Sequence, residues 1–207
     1  MVRGFETHSP FLRKIAFFSA FAALLTVPHV SARAITLASK GGGVLLSGGI
    51  RPGDHIEFRD FIAGLNPRFI ELDSKGGDVN AAGEIGRLIR KKNLPTVVDA
   101  SRSTCGSACT IIFASGASRH YVGAEKVQDG VGDMKRPGLG YHEGNNFLAS
   151  GQRGQSGATT GRVIDLYYEF GSGKASSIVT KADWKHFYYI STATALELGL
   201  ATSAKRP

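Results

Sequence analysis

A run of small residues, Thr104-Cys105-Gly106-Ser107-Ala108-Cys109-Thr110, lies between the apolar segments Pro95–Ala100 and Ile111–Ala114. The pattern predicts a strand that ends, a sharp turn, and a buried helix that begins at Ser107. A hydroxyl there sits beside unpaired backbone N–H groups and the positive end of a helix dipole, which favour an oxyanion. The same residue also fits an ordinary N-cap serine. Two further segments bear on the choice. Ser74-Lys75-Gly76-Gly77 follows the apolar run Phe69-Ile70-Glu71-Leu72, and Leu139-Gly140-Tyr141-His142 follows a polar, glycine-containing stretch. A serine hydroxyl is a poor nucleophile until a base takes its proton, and the base needs a carboxylate to fix its tautomer. His142 equally fits a strand-end histidine satisfied by a backbone carbonyl, and a Gly-Gly after a strand is most often only a turn.

The elements that would hold these groups alternate. Ile35–Ala38 and Val44–Ser47 read as strands around a Lys40–Gly43 turn, then a helix over Gly53–Leu65 with Asp54 as N-cap and Ile56, Phe61, Ile62 and Leu65 on its apolar side. A strand over Arg68–Asp73 is followed by a helix over Asp78–Asn93, burying Val79, Ala82, Gly83, Gly86 and Ile89. After the strand Arg119–Val122 comes a polar excursion over Gly123–Gly138. Residues 144–161 read as a mobile loop at the mouth of the site. Helices over Val163–Phe170 and Ala175–Ala182, a strand over Phe187–Ile190 and a capped helix over Ser191–Leu200 complete the chain. The alternation predicts an α/β domain, with working loops at the carboxyl ends of parallel strands. Gly76-Gly77 and Ser107-Ala108 would then lie side by side, and their amides could form an oxyanion hole without any side chain.

At 207 residues the chain holds one full domain. Arg13 and Lys14 precede the thirteen-residue apolar run Ile15–Val27, and Ala32-Arg33-Ala34 supplies the small residues a signal peptidase reads. Spanning a bilayer takes about 20 apolar residues. Residues 1–34 are therefore expected to be a cleaved secretory leader, residues 35–207 a single domain, and the protein periplasmic or secreted. Membrane attachment is expected only if the leader stays uncleaved. Removing Arg3, Arg13, Lys14 and Arg33 against Glu6 lowers the formal charge from +8 to +5. The densest basic cluster, Arg87, Arg90, Lys91 and Lys92, suits a solvated helix end, so no nucleic-acid partner is expected. His55, His120, His142 and His186 are too scattered to suggest a metal, and no cofactor is read. Export places Cys105 and Cys109 in an oxidising compartment. Four apart on a helix, their Cβ atoms would be about 5–6 Å apart, too far for a relaxed disulfide. A bridge requires the turn at Gly106 to distort the helix, and the preferred reading is two small hydrophobes in the core.

Taken together, Leu72–Gly77, Gly106-Ser107-Ala108-Cys109 with Ser115-Gly116, Leu139–Glu143, and Ile190–Leu200 resemble, in the same order, the ClpP/crotonase superfamily, specifically its ClpP-like serine peptidase branch. The resemblance runs from about Val44 to Ala201. It implies a spiral of ββα units, a parallel sheet with flanking helices, and a homo-oligomer. It also implies Ser107 as nucleophile, His142 as base, Asp183 as triad acid, with Asp165 and Glu169 as other candidates, and the amides of Gly77 and Ala108 as oxyanion donors. Lys75 replaces the family's usual proline, and the 123–138 segment is longer than in the peptidases. Axial loops for docking an ATPase are not recognisable, so no motor partner is expected. The function expected is an exported, ATP-independent serine hydrolase acting on peptide or protein. Alternatives are a catalytically silent ClpP-like scaffold and a crotonase-type acyl-CoA enzyme, the latter disfavoured because CoA is cytoplasmic.

Overall fold

Three short apolar segments set the frame. Gly43–Ser47 (β2), Ile70–Asp73 (β3) and Thr96–Asp99 (β4) are almost wholly buried and pair in parallel, as continuous apolar strands covered on both faces do. Thr36–Lys40 (β1) joins one edge through an antiparallel hairpin and Arg119–Val122 (β6) the other in parallel, giving the order β1-β2-β3-β4-β6. A second sheet holds Thr104–Gly106 (β5), Gly130–Gly132 (β7), Gly138–Tyr141 (β8) and Phe187–Ile190 (β11) in the order β5-β8-β11-β7. The two sheets are stitched where β3 ends: Ser74 N donates to Thr104 O at 2.8 Å and Gly106 N to Ser74 O at 2.9 Å. The computed structural model describes Met1, Gly4 and residues 34–147 and 149–207. The predicted leader, 1–34, lies outside the described residues except at Met1, Gly4 and Ala34. The described residues from Ala34 to Pro207 belong to one compact unit. Among the described residues no helix is long and apolar enough to cross a membrane. The result is the expected mixed α/β architecture, with a parallel sheet and flanking helices.

Helices Asp54–Ala63 (α1), Val79–Lys91 (α2) and Ala108–Ala114 (α3) connect the strands. Asp78 caps α2 by accepting the Ala81 amide at 2.7 Å. The face of α2 carrying Gly83 and Gly86 meets Gly157–Glu169 (α4) so closely that side chains there would collide. A Cβ on Gly86 would stand 2.7 Å from Phe170 Cζ, and one on Gly83 3.0 Å from Leu166 Cδ2. The short helix Ser176–Val179 (α5) and the helix Thr192–Glu197 (α6), capped by Ser191 as expected, complete the covering layer.

Four expectations are corrected. Gly53, at φ 93°, is the N-cap of α1 rather than Asp54, which lies inside the helix and is buried with Phe58 and Ile62 at four-residue spacing; Ile56 faces solvent. The Ser107 turn does not follow β4 directly, because β5 intervenes. The excursion 123–138 contributes β7 to the second sheet. Residues 144–161 are not a featureless loop: Asn145–Phe147 (β9) and Arg153–Gln155 (β10) pair antiparallel, and α4 starts at Gly157.

Within β3 the apolar pattern is broken by Glu71, which is 1% exposed. It is met by Lys40 at 3.1 Å, Arg102 at 2.7 Å and Arg206 at 3.2 Å. Burial pushes its carboxyl up, but the hydrogen bonds from Arg206, Lys40 and Arg102 outweigh it and hold the group below its ordinary 4.5. Removing the charge strands Lys40 and leaves Arg102 and Arg206 with Asp99 alone, so Glu71→Gln should lower stability by roughly 1–3 kcal/mol at neutral pH. Because the folded value is depressed, the ionised carboxylate stabilises fully above its unfolded value. That benefit is lost as pH falls through the folded one. Urea midpoints at pH 7 and in acid should therefore differ much less in the variant than in the wild type.

Candidate active site

β5 and β8 run parallel in the register Cys105↔Leu139 and Gly106↔Gly140, so Ser107 leaves its strand beside the point where Tyr141 and His142 leave theirs. The Ser107 amide donates to Gly140 O at 2.9 Å, which fixes that juxtaposition. Ser107 then turns into α3 with φ 52° and ψ −129°, a conformation that favours glycine and costs a side-chain residue about 1–3 kcal/mol. Such cost persists only where surrounding contacts impose it. Here Thr110 Oγ1 donates to Ser107 O at 2.5 Å and also lies 2.5 Å from the hydroxyl of Tyr167, which is buried beneath α3.

The Gly76-Gly77 loop lies directly against this elbow. A Cβ on Gly76, at φ 92°, would fall 2.6 Å from Gly106 O and 2.7 Å from both Ala108 N and Ser107 Cβ. Gly77, at φ 145°, is equally intolerant, since its Cβ would enter the Ile50 carbonyl. Ile50 grips the loop on its other side, its amide donating to Gly76 O at 3.0 Å and its carbonyl accepting the Asp78 amide at 2.9 Å. Among the described residues no acceptor takes the Gly77 or Ala108 amide. The two donors expected to face an oxyanion thus stand in adjacent loops with their hydrogens uncommitted.

His142 is buried, its ring packed on Phe187 with centroids 5.2 Å apart. Burial lowers its basicity below the usual 6.5, opposed more weakly by the Glu143 backbone and the charge of Asp183. Its Nδ1 has no hydrogen-bond partner among the described residues. Asp183 is nearby, because Glu143 N donates to Ala182 O at 3.1 Å, yet its carboxylate faces elsewhere. Asp183 Oδ1 meets His186 Nδ1 at 2.9 Å and accepts the Lys185 amide at 3.0 Å, contacts that hold the carboxyl below its ordinary range. Of the other candidates, Glu169 is engaged by Arg87 at 2.7 Å and Asp165 is exposed on α4. The structure thus groups Ser107, Ala108, Gly77 and His142 at one end of β5 and β8. Asp183 stands beside them, bonded to His186 instead of His142.

Cys105 and Cys109 form a disulfide, with Cα atoms 5.2 Å apart. The expectation of two free core cysteines is overturned because Cys105 belongs to β5 and not to a helix, so helical spacing never applied. The bridge spans the elbow, closing a ring of chain with Ser107 at its centre. Sequence reasoning missed His186, Ile50, Thr110 and Tyr167. Of these only His186 left a signal, three residues from the candidate acid.

No protein-family model and no curated protein sequence matches the chain. Solved structures do. A membrane-bound stomatin-specific protease, 1510-N, aligns with TM-score 0.55 at 17% identity over 79% of this chain and 78% of its own. The same protease in complex with a substrate peptide aligns with TM-score 0.52 at 19% identity, covering 79% and 74%. The ClpP protease catalytic domain from Plasmodium falciparum aligns with TM-score 0.53 at 17% identity, covering 79% and 85%. These likenesses show the fold: the chain is built like the ClpP-like serine proteases.

Proposed function

We propose that the chain is an exported, ATP-independent serine hydrolase that cleaves peptides or proteins, working as a homo-oligomer in the periplasm or outside the cell. The observation that carries this reading is the Ser107 elbow, a strained serine set against two uncommitted amides at the strand end shared with His142. In the reaction Ser107 Oγ attacks the substrate carbonyl while the His142 imidazole takes its proton. The Gly77 and Ala108 amides hold the oxyanion, the proton passes to the leaving amine, and water then releases the acyl group by the same route reversed. For Asp183 to orient His142, its carboxylate must turn from His186 towards Nδ1. The orphaned Nδ1 is also the one observation that favours the second reading, a catalytically silent ClpP-like scaffold.

A fluorophosphonate probe separates the two. Covalent labelling of the protein, with the adduct mapped to Ser107 by peptide mass spectrometry, is the expected result. Absence of labelling in a protein whose circular dichroism shows an intact fold would establish the scaffold instead. Because burial depresses His142, its neutral form persists into mild acid. The acid limb of the labelling rate should accordingly fall below pH 6.5, the ordinary histidine value.

A further inference from the structure

Asp54 is a buried carboxylate, 6% exposed, and among the described residues no lysine, arginine or histidine side chain forms an ion pair with it. Its Oδ2 accepts two backbone amides, Arg51 N at 2.7 Å and Ile35 N at 3.3 Å. An unpaired buried carboxylate is costly, and two neutral amides compensate it only in part. Ile35 is itself 4% exposed and belongs to the main hydrophobic cluster, so its nitrogen is anchored in place. The Ala32-Arg33-Ala34 motif ends at that same nitrogen. The bond that a signal peptidase would cut and the amide that the buried carboxylate holds are therefore one and the same.

We propose that cleavage between Ala34 and Ile35 creates an α-ammonium that Asp54 binds as its counter-ion, so that the mature fold is completed only by processing. Hydrolysis adds one water across the bond, leaving a carboxylate on Ala34 and an ammonium on Ile35. The new group has three donors where the amide had one, and a cationic donor replaces a neutral one opposite the carboxylate. The pair sits at the base of the catalytic loop, since Arg51 follows Ile50, whose amide and carbonyl hold the Gly76–Asp78 backbone. This inference rests on the export reading of residues 1–34, and without cleavage no α-ammonium forms at Ile35.

The test uses the protein recovered after export together with two purified forms, one beginning at Ile35 and one retaining Ala34. Intact-mass analysis of the exported protein should give Ile35 as first residue. An unprocessed mass would overturn the export reading, and any other mature terminus would overturn the processing claim. In the Ile35 form, Asp54→Asn should reduce the folding equilibrium constant at least tenfold more than in the Ala34 form. Equal losses in the two would show that the carboxylate serves only the Arg51 turn and would overturn the pocket. Should Asp54→Asn fail to fold in either form, acetylation of the Ile35 α-amine in the wild type supplies the same comparison. It should lower the melting temperature to that of the Ala34 form, and an unchanged melting temperature would refute the pairing. Fluorophosphonate labelling should be at least several-fold faster in the Ile35 form than in the Ala34 form.

Discussion

Replacing Ser107 by alanine should abolish fluorophosphonate labelling and lower peptide hydrolysis by about 10⁶-fold, the scale seen when a serine nucleophile is removed from a triad. The melting temperature should stay nearly unchanged, because alanine retains the Cβ and with it the strain of φ 52° and ψ −129°. Ser107→Gly provides the diagnostic contrast. Glycine adopts that conformation freely, so the variant recovers about 1–3 kcal/mol of backbone strain. Against this stands the entropy a glycine adds to the unfolded chain, about 0.5–1 kcal/mol. The net expectation is a more stable, inactive protein. A serine kept in a destabilising geometry, at a position where glycine improves the fold, would mark the strain as serving chemistry. A lower melting temperature for Ser107→Gly would remove that argument, although the Ser107 side chain makes no capping hydrogen bond to α3.

How much of this was legible in the sequence depends on what holds each element. β3 and α2 could be read because their signals are local: an apolar strand, then Gly76-Gly77, then Asp78 capping an amphipathic helix. β5 could not. Thr104–Gly106 has no periodicity to read, and its strand conformation comes from pairing with β8 and with Ser74, 34 residues downstream and 31 upstream of their partners in register. β7, β9 and β10 are likewise three residues each, formed by partners and not by propensity. The ion network around Glu71 joins residues as far apart as Lys40 and Arg206, which no local pattern can reveal.

The site divides in the same way. Backbone positions were accessible because glycines and small residues announce close approach, and Gly76 does press on the Ser107 turn. Side-chain orientation was not. The resemblance points to Asp183 as the acid beside His142, but whether it faces His142 or His186 is a competition between two imidazoles that only the folded side chains decide. Treating Cys105 and Cys109 as helical neighbours failed for a related reason, since strand-to-helix turns shorten distances that helical spacing would keep apart.

That disulfide leads to the second large effect. The ring it closes is only a few residues long, so the loop-entropy contribution to stability is about 2 kcal/mol. The double variant Cys105→Ala, Cys109→Ala should therefore melt only about 4–8 °C lower. Its effect on chemistry should be far larger. The bridge ties β5, which donates the register to β8, to the first turn of α3, and Ser107 with its glycine-like backbone lies between. Without the tie the elbow can relax towards ordinary dihedrals, moving the hydroxyl away from His142 and turning the Ala108 amide away from that of Gly77. A displacement near 1 Å at a reacting atom is worth about 100-fold. The labelling rate should fall by about that factor under conditions where the variant remains fully folded. Rates that fall no more than the small stability loss explains would show instead that the bridge braces the fold without positioning the nucleophile.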